Sequence, residues 1–188
     1  MTPFELFFGL SAVILGLALT HIANSLQLLL RAGRNVRWAL EPILQAALIL
    51  MIVVFVWADQ WDNRNDAAFT VGQSLVQVAK LLAVYVAAAS VLPEPNGDAE
   101  TDLRSYYMAS RRVTYGALVA GFILFVVYRF LFLPPTHVPL FNSGIAALGI
   151  LLLYLSLMVV RWRAYHLMVL AVLCAAYAVQ ILPRTIGN

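Results

Sequence analysis

Long apolar runs constrain the fold of this chain more than any other feature. Several of them reach or approach the ~20 residues that a helix needs to cross a bilayer. Hydrophobic residues make up 63% of the chain and charged residues only 11%, whereas about a quarter of the residues in a soluble domain are charged. The sequence therefore predicts an all-α fold, a polytopic transmembrane helical bundle. We expect one integral membrane domain that covers residues 1–188.

Six membrane spans are predicted. We place them at residues 4–30, 39–58, 69–92, 113–133, 144–160 and 167–182. All four tryptophans fall at the proposed borders, as an aromatic belt requires. No hydrophilic segment is much longer than the twenty residues from Pro93 to Arg112, so we predict no separate soluble domain.

The longest polar segment carries signals for a helix of its own. Residues 93–97, rich in proline, indicate a break and a turn. Thr101 is predicted to cap a helix, and Asp102 in its first turn suits the positive end of the helix dipole. That helix could continue through Tyr106 and Tyr107 into the fourth span.

Arginines predict the orientation of the spans. The segments after the first, third and fifth spans hold eight arginines, and the opposite segments hold two, Arg64 and Arg184. The positive-inside rule then places both termini and the acidic loop Asp59–Asp66 outside the cytoplasm. The eight inner arginines are Arg31, Arg34, Arg37, Arg104, Arg111, Arg112, Arg161 and Arg163.

Short motifs in both halves of the chain resemble those of one group of small, polytopic, uncharacterised bacterial membrane proteins. In the first half these are Phe4-Glu5-Leu6, Gly9-Leu10 and Leu15-Gly16-Leu17-Ala18. In the second half they are Leu92-Pro93, Asp102-Leu103-Arg104-Ser105-Tyr106-Tyr107 and Arg111-Arg112. The resemblance implies a bacterial inner-membrane location, and it implies no activity or catalytic residue.

The first span has a stripe of small and polar residues. The stripe consists of Glu5, Gly9, Ala12, Gly16, Thr20, Asn24, Gln27 and Arg31, which follow one another at steps of three or four. Small residues let helix backbones approach, and polar residues hydrogen-bond across helices. We therefore interpret the stripe as a helix–helix contact of the bundle. The alternative is that its inner half lines a wet cavity, with His21 as a titratable wall group.

Lys80 is the only lysine of the chain, and it lies near the middle of the third span. A cation at the bilayer centre costs roughly 2.5–3.5 kcal/mol on insertion scales. Gln73 and Gln77 precede it at helical spacing and share its face. Together with polar residues of the first two spans they form the predicted substrate site: Lys80, Gln77, Gln73, His21, Asn24 and Gln45.

A partner for Lys80 is hard to find in the sequence. The only carboxylates inside the predicted spans are Glu5 and Glu41, one at each edge. Because a helix rises 1.5 Å per residue, Lys80 is on the order of 15 Å from either edge. Three alternatives follow: a neutral lysine, hydrogen bonds to glutamine, tyrosine and water, or an anion that is not part of the chain.

Two functions fit these patterns. The first is a small transporter or channel-like permeation protein with a polar path between the first three helices. The second is a non-catalytic membrane scaffold or accessory subunit, in which the polar stripes are packing contacts. Catalytic and metal-binding motifs are missing from the sequence, so we expect no enzyme, no cofactor and no metal site. The expected partners are the lipid bilayer, a small anionic solute, and a second copy or another membrane protein, but not nucleic acid.

Overall fold

A computed structural model describes residues 3–62, 70–95, 100–132 and 140–183. These residues form six long helices: α1 (Pro3–Ala32), α2 (Leu40–Asp62), α3 (Val71–Ala89), α4 (Leu103–Phe132), α5 (Leu140–Val159) and α6 (Arg163–Ile181). The predicted all-α bundle is therefore confirmed. Several residues used in the sequence predictions lie outside the described residues, namely Arg64, Asp66, Asn96, Gly97 and Arg184.

Five of the six helices are long and apolar enough to cross a membrane. In α5 the apolar stretch is shorter, from Gly144 to Val159. Most helix boundaries differ by a few residues from the predicted spans, and two of the differences matter for the sites described below. α2 continues to Asp62 instead of ending at residue 58, and α4 begins at Leu103 instead of 113. The long α4 confirms that the helix of the polar segment continues into the fourth span.

The start of α4 is capped one residue later than predicted. Asp102, not Thr101, accepts the backbone N–H groups of Arg104 and Ser105, at 2.9 and 3.3 Å. The Ser105 hydroxyl also donates to the Asp102 carboxylate, at 2.8 Å. These hydrogen bonds lower the pKa of the Asp102 carboxyl below its ordinary value of 3.8, and the bond from the Ser105 hydroxyl has the largest effect. The charge also suits the positive helix end.

A reciprocal cap starts α3. The Thr70 hydroxyl accepts the Gln73 backbone N–H at 3.2 Å, and the Gln73 side chain accepts the Thr70 N–H at 2.7 Å. This capping box satisfies two of the amide groups that a helix start leaves without partners. It fixes where α3 begins, and therefore the register of Gln77 and Lys80 along the helix.

Two short strands join the segments that precede α2 and α4. β1 (Val36–Arg37) pairs in parallel with β2 (Thr101–Asp102), with Val36 opposite Thr101. The Arg37 guanidinium also forms an exposed salt bridge with Glu100. This pairing holds the starts of two helices at the same end of the bundle. We call this end, where the eight arginines listed above lie, the arginine-rich end.

The bundle core is built mainly by α3 against α4, by α2 against α6 and by α1 against α3. Among the described glycines, Gly121 of α4 lies closest to a neighbouring helix. A Cβ at this position would lie 3.3 Å from the Ala83 Cβ and 3.8 Å from the Lys80 carbonyl oxygen, both in α3. Small residues at such a crossing allow backbone contact. Gly121 therefore sets the distance between α4 and the part of α3 that carries Lys80.

The predicted contact face of α1 is wrong. At Gly9 and Gly16 an added Cβ would meet no atom within 4 Å, and Ala12, Thr20 and Asn24 are exposed. The buried face lies elsewhere on the helix, with the same spacing of three or four residues. It consists of Phe7, Ser11, Leu15, Ala18, Ile22, Ser25 and Leu29.

Candidate functional site

Lys80 lies halfway along α3 and is almost completely buried, with 2% of its surface exposed. Its Nζ atom lies over two aromatic rings of α4, 5.5 Å from the Phe125 centroid and 5.8 Å from the Tyr128 centroid. Ring faces carry partial negative charge and attract a cation at this distance. The side chain thus extends toward the start of α3, as helix geometry favours, and away from the arginine-rich end.

Asp59 corrects the expectation that no carboxylate of the chain is near Lys80. The Asp59 carboxylate interacts electrostatically with the Lys80 ammonium. The expectation failed because α2 was predicted to end at residue 58, so that Asp59 was counted as part of a loop. The helix continues to Asp62, and the lysine side chain extends several ångströms from its own backbone toward that end.

Two buried amide side chains lie in the same half of the bundle as Asp59 and Lys80. Gln77 shares the buried face of α3 with Lys80, and Gln60 follows Asp59 in α2; they are 6% and 5% exposed. The Gln77 Oε1 atom and both amide atoms of Gln60 have no hydrogen-bond partner within the part of the chain that the structure describes. Asp59 and Gln60 near the end of α2, and Gln77 and Lys80 on α3, lie in the half of the bundle away from the arginine-rich end, and we call these four residues the lysine-end cluster.

The other predicted site residues lie apart from this cluster. The Gln73 side chain is part of the capping box of α3. Asn24 is exposed on α1, and His21 is half-buried on the same helix. Gln45 is fully buried near Tyr115, toward the arginine-rich end, and neither of its amide atoms meets normal hydrogen-bond geometry with a described residue. The structure therefore brings together Lys80 and Gln77 of the six, and their role in solute binding stays a prediction.

A layer of apolar side chains separates the two polar ends of α2. Leu48, Ile49 and Val53 are 0–2% exposed, and they lie between Gln45 and the lysine-end cluster. Leu81 of α3 and Leu118 of α4 are also buried. The polar groups at the two ends therefore occupy separate environments.

The sequence did not predict the hydrogen-bonded chain at the arginine-rich end. His166 lies in the first turn of α6, and its Nε2 atom is 2.9 Å from the Val160 carbonyl oxygen. A carbonyl only accepts, so Nε2 must carry the hydrogen. In the neutral ring Nδ1 then accepts, and the Tyr107 hydroxyl donates to it over 2.6 Å. The Tyr107 oxygen in turn accepts the Tyr115 hydroxyl at 3.0 Å.

Two buried charged groups lie beside this chain. Arg111, one turn from Tyr107 and Tyr115 on α4, donates to the same Val160 carbonyl. Glu41, in the first turn of α2, is 2% exposed and accepts the Arg163 Nε at 2.8 Å. Its second oxygen, Oε2, has no hydrogen-bond partner among the described residues. The first turns of α2 and α6 are thus linked by a charge pair.

A small pocket of about 10 Å³, room for about one water molecule, lies between these groups. Its polar lining consists of Glu41, Arg104, Tyr107, Arg161, Arg163 and His166. These residues come from the starts of three helices and from the segment before α6, which are far apart in the sequence. The one sequence signal was the group of arginines, and we interpreted it only as an indicator of orientation.

The fold and the exposed apolar helix faces define a multi-pass helical membrane protein. Within the described residues, no three His, Cys, Asp or Glu side chains gather as a metal-binding group. A scan against protein-family models, a search of the curated proteins and a search of the solved structures each found no match to this chain.

Proposed function

We propose that this protein is a small transporter or channel-like permeation protein whose polar path includes the lysine-end cluster. The amide atoms of Gln60 and Gln77 that have no hydrogen-bond partner among the described residues carry the proposal. If these side chains served only as packing contacts, their amides would hydrogen-bond across helices. A buried polar atom without a partner costs about 1–3 kcal/mol. Contact with water or a polar solute removes that cost, and a permeation path supplies such contact.

Lys80 gives the path its preference for an anionic solute in this proposal. In this proposal Lys80 carries its proton. Phe125 and Tyr128 attract the ammonium without neutralising it, so its positive charge would remain available to a solute. A solute anion at Lys80 would compete with Asp59, which already interacts with the ammonium. Such competition keeps binding weak enough for release, as permeation requires.

A water-soluble thiol reagent tests whether the cluster is wet. Gln77→Cys and the matched control Leu82→Cys are made in a Cys174→Ala background, which removes the only native cysteine. Leu82 lies on the same helix, 49% exposed and facing lipid. Because thiolates form in water, Gln77→Cys should react with a methanethiosulfonate at least about tenfold faster than Leu82→Cys. Equal rates would refute a wet path at this cluster.

Solute flux tests transport itself. Parent protein, Lys80→Met and Leu82→Met are reconstituted in vesicles, and chloride, nitrate and acetate flux is measured. Lys80→Met should lose flux, whereas Leu82→Met should keep the parent rate. If the parent carries none of these anions and Lys80→Met is more stable than the parent, the lysine is a packing residue, because removal of a desolvated charge is then the main effect.

The exposed stripe of α1 favours a second candidate, a membrane scaffold or accessory subunit. Asn24 and Gln27 are exposed on the same stripe as Gly16, on a helix apolar enough to span a membrane. Amide side chains are costly in lipid, and small residues let a second helix approach. A second copy or another membrane protein would cover this face.

Disulfide formation tests that candidate. Ala12→Cys should cross-link two copies in the Cys174→Ala background, whereas Val13→Cys should not. Val13 is 60% exposed but lies off the stripe. Equal cross-linking at the two positions would indicate random collision. Failure at both would exclude pairing of two copies through this face.

For the location we propose a bacterial inner membrane, with the arginine-rich end in the cytoplasm and both termini outside. The eight-to-two arginine count supports this orientation. Arg34→Cys and Pro183→Cys, at opposite ends of the bundle, should label from opposite sides of intact cells. An impermeant thiol reagent that labels Arg34→Cys and not Pro183→Cys would reverse the proposed orientation.

A further inference from the structure

A buried amide lies at the inner end of the hydrogen-bonded chain that begins at His166. Gln45 of α2 is fully buried, and its amide interacts with the Tyr115 hydroxyl. Neither amide atom has a hydrogen-bond partner by normal geometry among the described residues. Because no other described group fixes it, the amide can rotate and present either its N–H or its oxygen to Tyr115. We call His166, Tyr107, Tyr115 and Gln45 the histidine chain.

The neutral and charged forms of His166 require opposite directions of hydrogen bonding. In the neutral form Tyr115 donates to Tyr107, and Tyr107 donates to the Nδ1 atom of His166. The imidazolium carries a hydrogen on both nitrogens. Its Nε2 atom continues to donate to the Val160 carbonyl oxygen, and its Nδ1 atom changes from acceptor to donor.

Reversal of the whole chain keeps the charged form paired. Tyr107 then accepts from Nδ1 and donates to Tyr115, and Tyr115 donates to the amide oxygen of Gln45. Each tyrosine keeps one hydrogen, so the net change is one proton gained at Nδ1. A buried O–H group without an acceptor would make the charged form costly. Gln45 supplies the acceptor that Tyr115 otherwise lacks.

The surroundings of His166 allow a proton to arrive. His166 is 1% exposed, but it and Tyr107 line the pocket that has room for about one water molecule, which can deliver the proton. Arg111 of α4 repels a positive charge on the ring, and Glu41 of α2 attracts it. The Tyr165 ring packs edge-on against the imidazole. The other charged residues that line the pocket are Arg104, Arg161 and Arg163.

We propose that His166 is a proton-binding site and that protonation reverses the histidine chain, which turns the Gln45 amide from donor to acceptor. Protonation at the arginine-rich end thereby changes the hydrogen bonding of a buried side chain on another helix. Histidine ordinarily titrates between about pH 5 and 8, so a moderate change of pH is a sufficient signal. The site takes up its proton whether or not the protein carries a solute.

Nitrogen NMR of the imidazole measures the protonation directly. The chain has three histidines, and His21→Asn with His137→Asn leaves His166 as the only one. The protein is labelled with ¹⁵N-histidine, purified in detergent without a histidine tag, and titrated from about pH 9 to pH 5. At high pH the hydrogen should be on Nε2, with Nδ1 unprotonated. At low pH both nitrogens should carry hydrogen.

Replacement of the buried amide tests the reversal. In Gln45→Leu the charged form leaves the Tyr115 hydrogen without an acceptor, whereas in the neutral form Tyr115 still donates to Tyr107. The proton affinity of His166 should therefore fall about fivefold, the worth of one hydrogen bond. The titration midpoint should move to lower pH by about 0.7 units. The matched control Gln60→Leu, a buried glutamine at the other end of α2, should change the affinity less than about 1.5-fold.

A double variant tests whether Gln45 acts through the chain. Tyr115→Phe removes the hydroxyl that links Gln45 to Tyr107, so it should also lower the proton affinity of His166 about fivefold. Addition of Gln45→Leu to Tyr115→Phe should then change the affinity by less than about 1.5-fold, because the link is already broken. If a leucine variant fails to fold, Gln45→Met and Gln60→Met replace the pair with the same expectations.

Four results would overturn the proposal. His166 keeps one protonation state throughout the titration, or its neutral ring carries the hydrogen on Nδ1. The substitutions at Gln45 and Gln60 have equal effects on the midpoint. The effects of Tyr115→Phe and Gln45→Leu add in full, which would show that Gln45 does not act through the tyrosines.

Discussion

The hydrogen-bonded chain from Tyr115 through Tyr107 to His166 makes a prediction about two similar substitutions. Tyr107→Phe removes two hydrogen bonds, one to each neighbour, and leaves the buried His166 Nδ1 atom without a donor. Tyr115→Phe removes only the bond to Tyr107. The Tyr107 hydroxyl can still donate to His166 in that variant. Removal of one hydroxyl should therefore cost much more at Tyr107 than at Tyr115.

The magnitudes follow from the number of groups left unpaired. Each hydrogen bond contributes about 0.5–1.5 kcal/mol, and an orphaned buried acceptor costs about 1–3 kcal/mol. We expect Tyr107→Phe to lower the free energy of unfolding by about 2–4 kcal/mol and Tyr115→Phe by about 1 kcal/mol. For a chain of this size each kcal/mol shifts Tm by about 2–4 °C.

Thermal unfolding in detergent, followed by circular dichroism, measures both variants and the double variant Tyr107→Phe/Tyr115→Phe. The double variant should be close to Tyr107→Phe alone, because that change has already removed the bond between the tyrosines. The two single effects should therefore fail to add by about 1 kcal/mol. A larger loss from Tyr115→Phe than from Tyr107→Phe, or full additivity, would refute the donor order derived for the chain.

Two further predictions concern packing and pH. Gly121→Leu should lower the free energy of unfolding by about 1–3 kcal/mol, because the leucine side chain must displace Ala83. The control Gly16→Leu should leave Tm nearly unchanged, because nothing lies within 4 Å of a Cβ at that position. Equal losses of Tm in detergent would show that the buried faces of α1 and α4 are assigned wrongly. The ionised Asp102 carboxylate stabilises the fold above its ordinary pKa of 3.8, and this contribution is lost as the pH falls through the lower pKa of the folded state. The parent should therefore have a higher Tm than Asp102→Asn, by an amount that is constant above about pH 5 and shrinks in more acidic buffer. A difference in Tm that grows on acidification would show that folding raises the pKa of Asp102 instead of lowering it.

The helices could be predicted from the sequence because bilayer thickness sets the length of an apolar run. The residues at which the helices begin and end were harder to predict. Asp59 and Asp62 are polar, so α2 was expected to stop before them, although a helix can continue beyond the apolar region. At the start of α4 the capping signals were recognised, but Thr101 and Asp102 are both good cap residues. The structure selects Asp102.

The buried face of α1 could not be predicted in the same way. In a soluble protein the apolar face of a helix is the buried one. In a membrane, lipid is as apolar as the protein core, so hydrophobicity does not separate the two faces. The stripe with Gly9 and Gly16 and the face with Leu15 and Ala18 have the same periodicity. Only the packing of the other helices decides between them.

The candidate sites were predicted in part for a related reason. Helical spacing relates residues of one helix, and it correctly placed Gln77 and Lys80 on one buried face. It carries no information on which helices meet. Asp59 interacts with Lys80 from another helix, and Glu41 meets Arg163 because α2 packs against α6. These contacts depend on packing across the bundle.

The apolar layer between the two polar ends restricts how the proposed permeation could occur. Leu48 and Ile49 of α2 and Leu81 of α3 are completely buried, and Leu118 of α4 is 4% exposed. A polar solute that crossed this layer would lose its hydrogen bonds to water, at a cost of several kcal/mol. If the protein has the proposed permeation function, this arrangement corresponds to a closed state. Because Gly121 holds α3 and α4 in close contact, we expect that opening of the proposed path would move the helices packed against that pair, α1 and α2, and would leave α3 and α4 together.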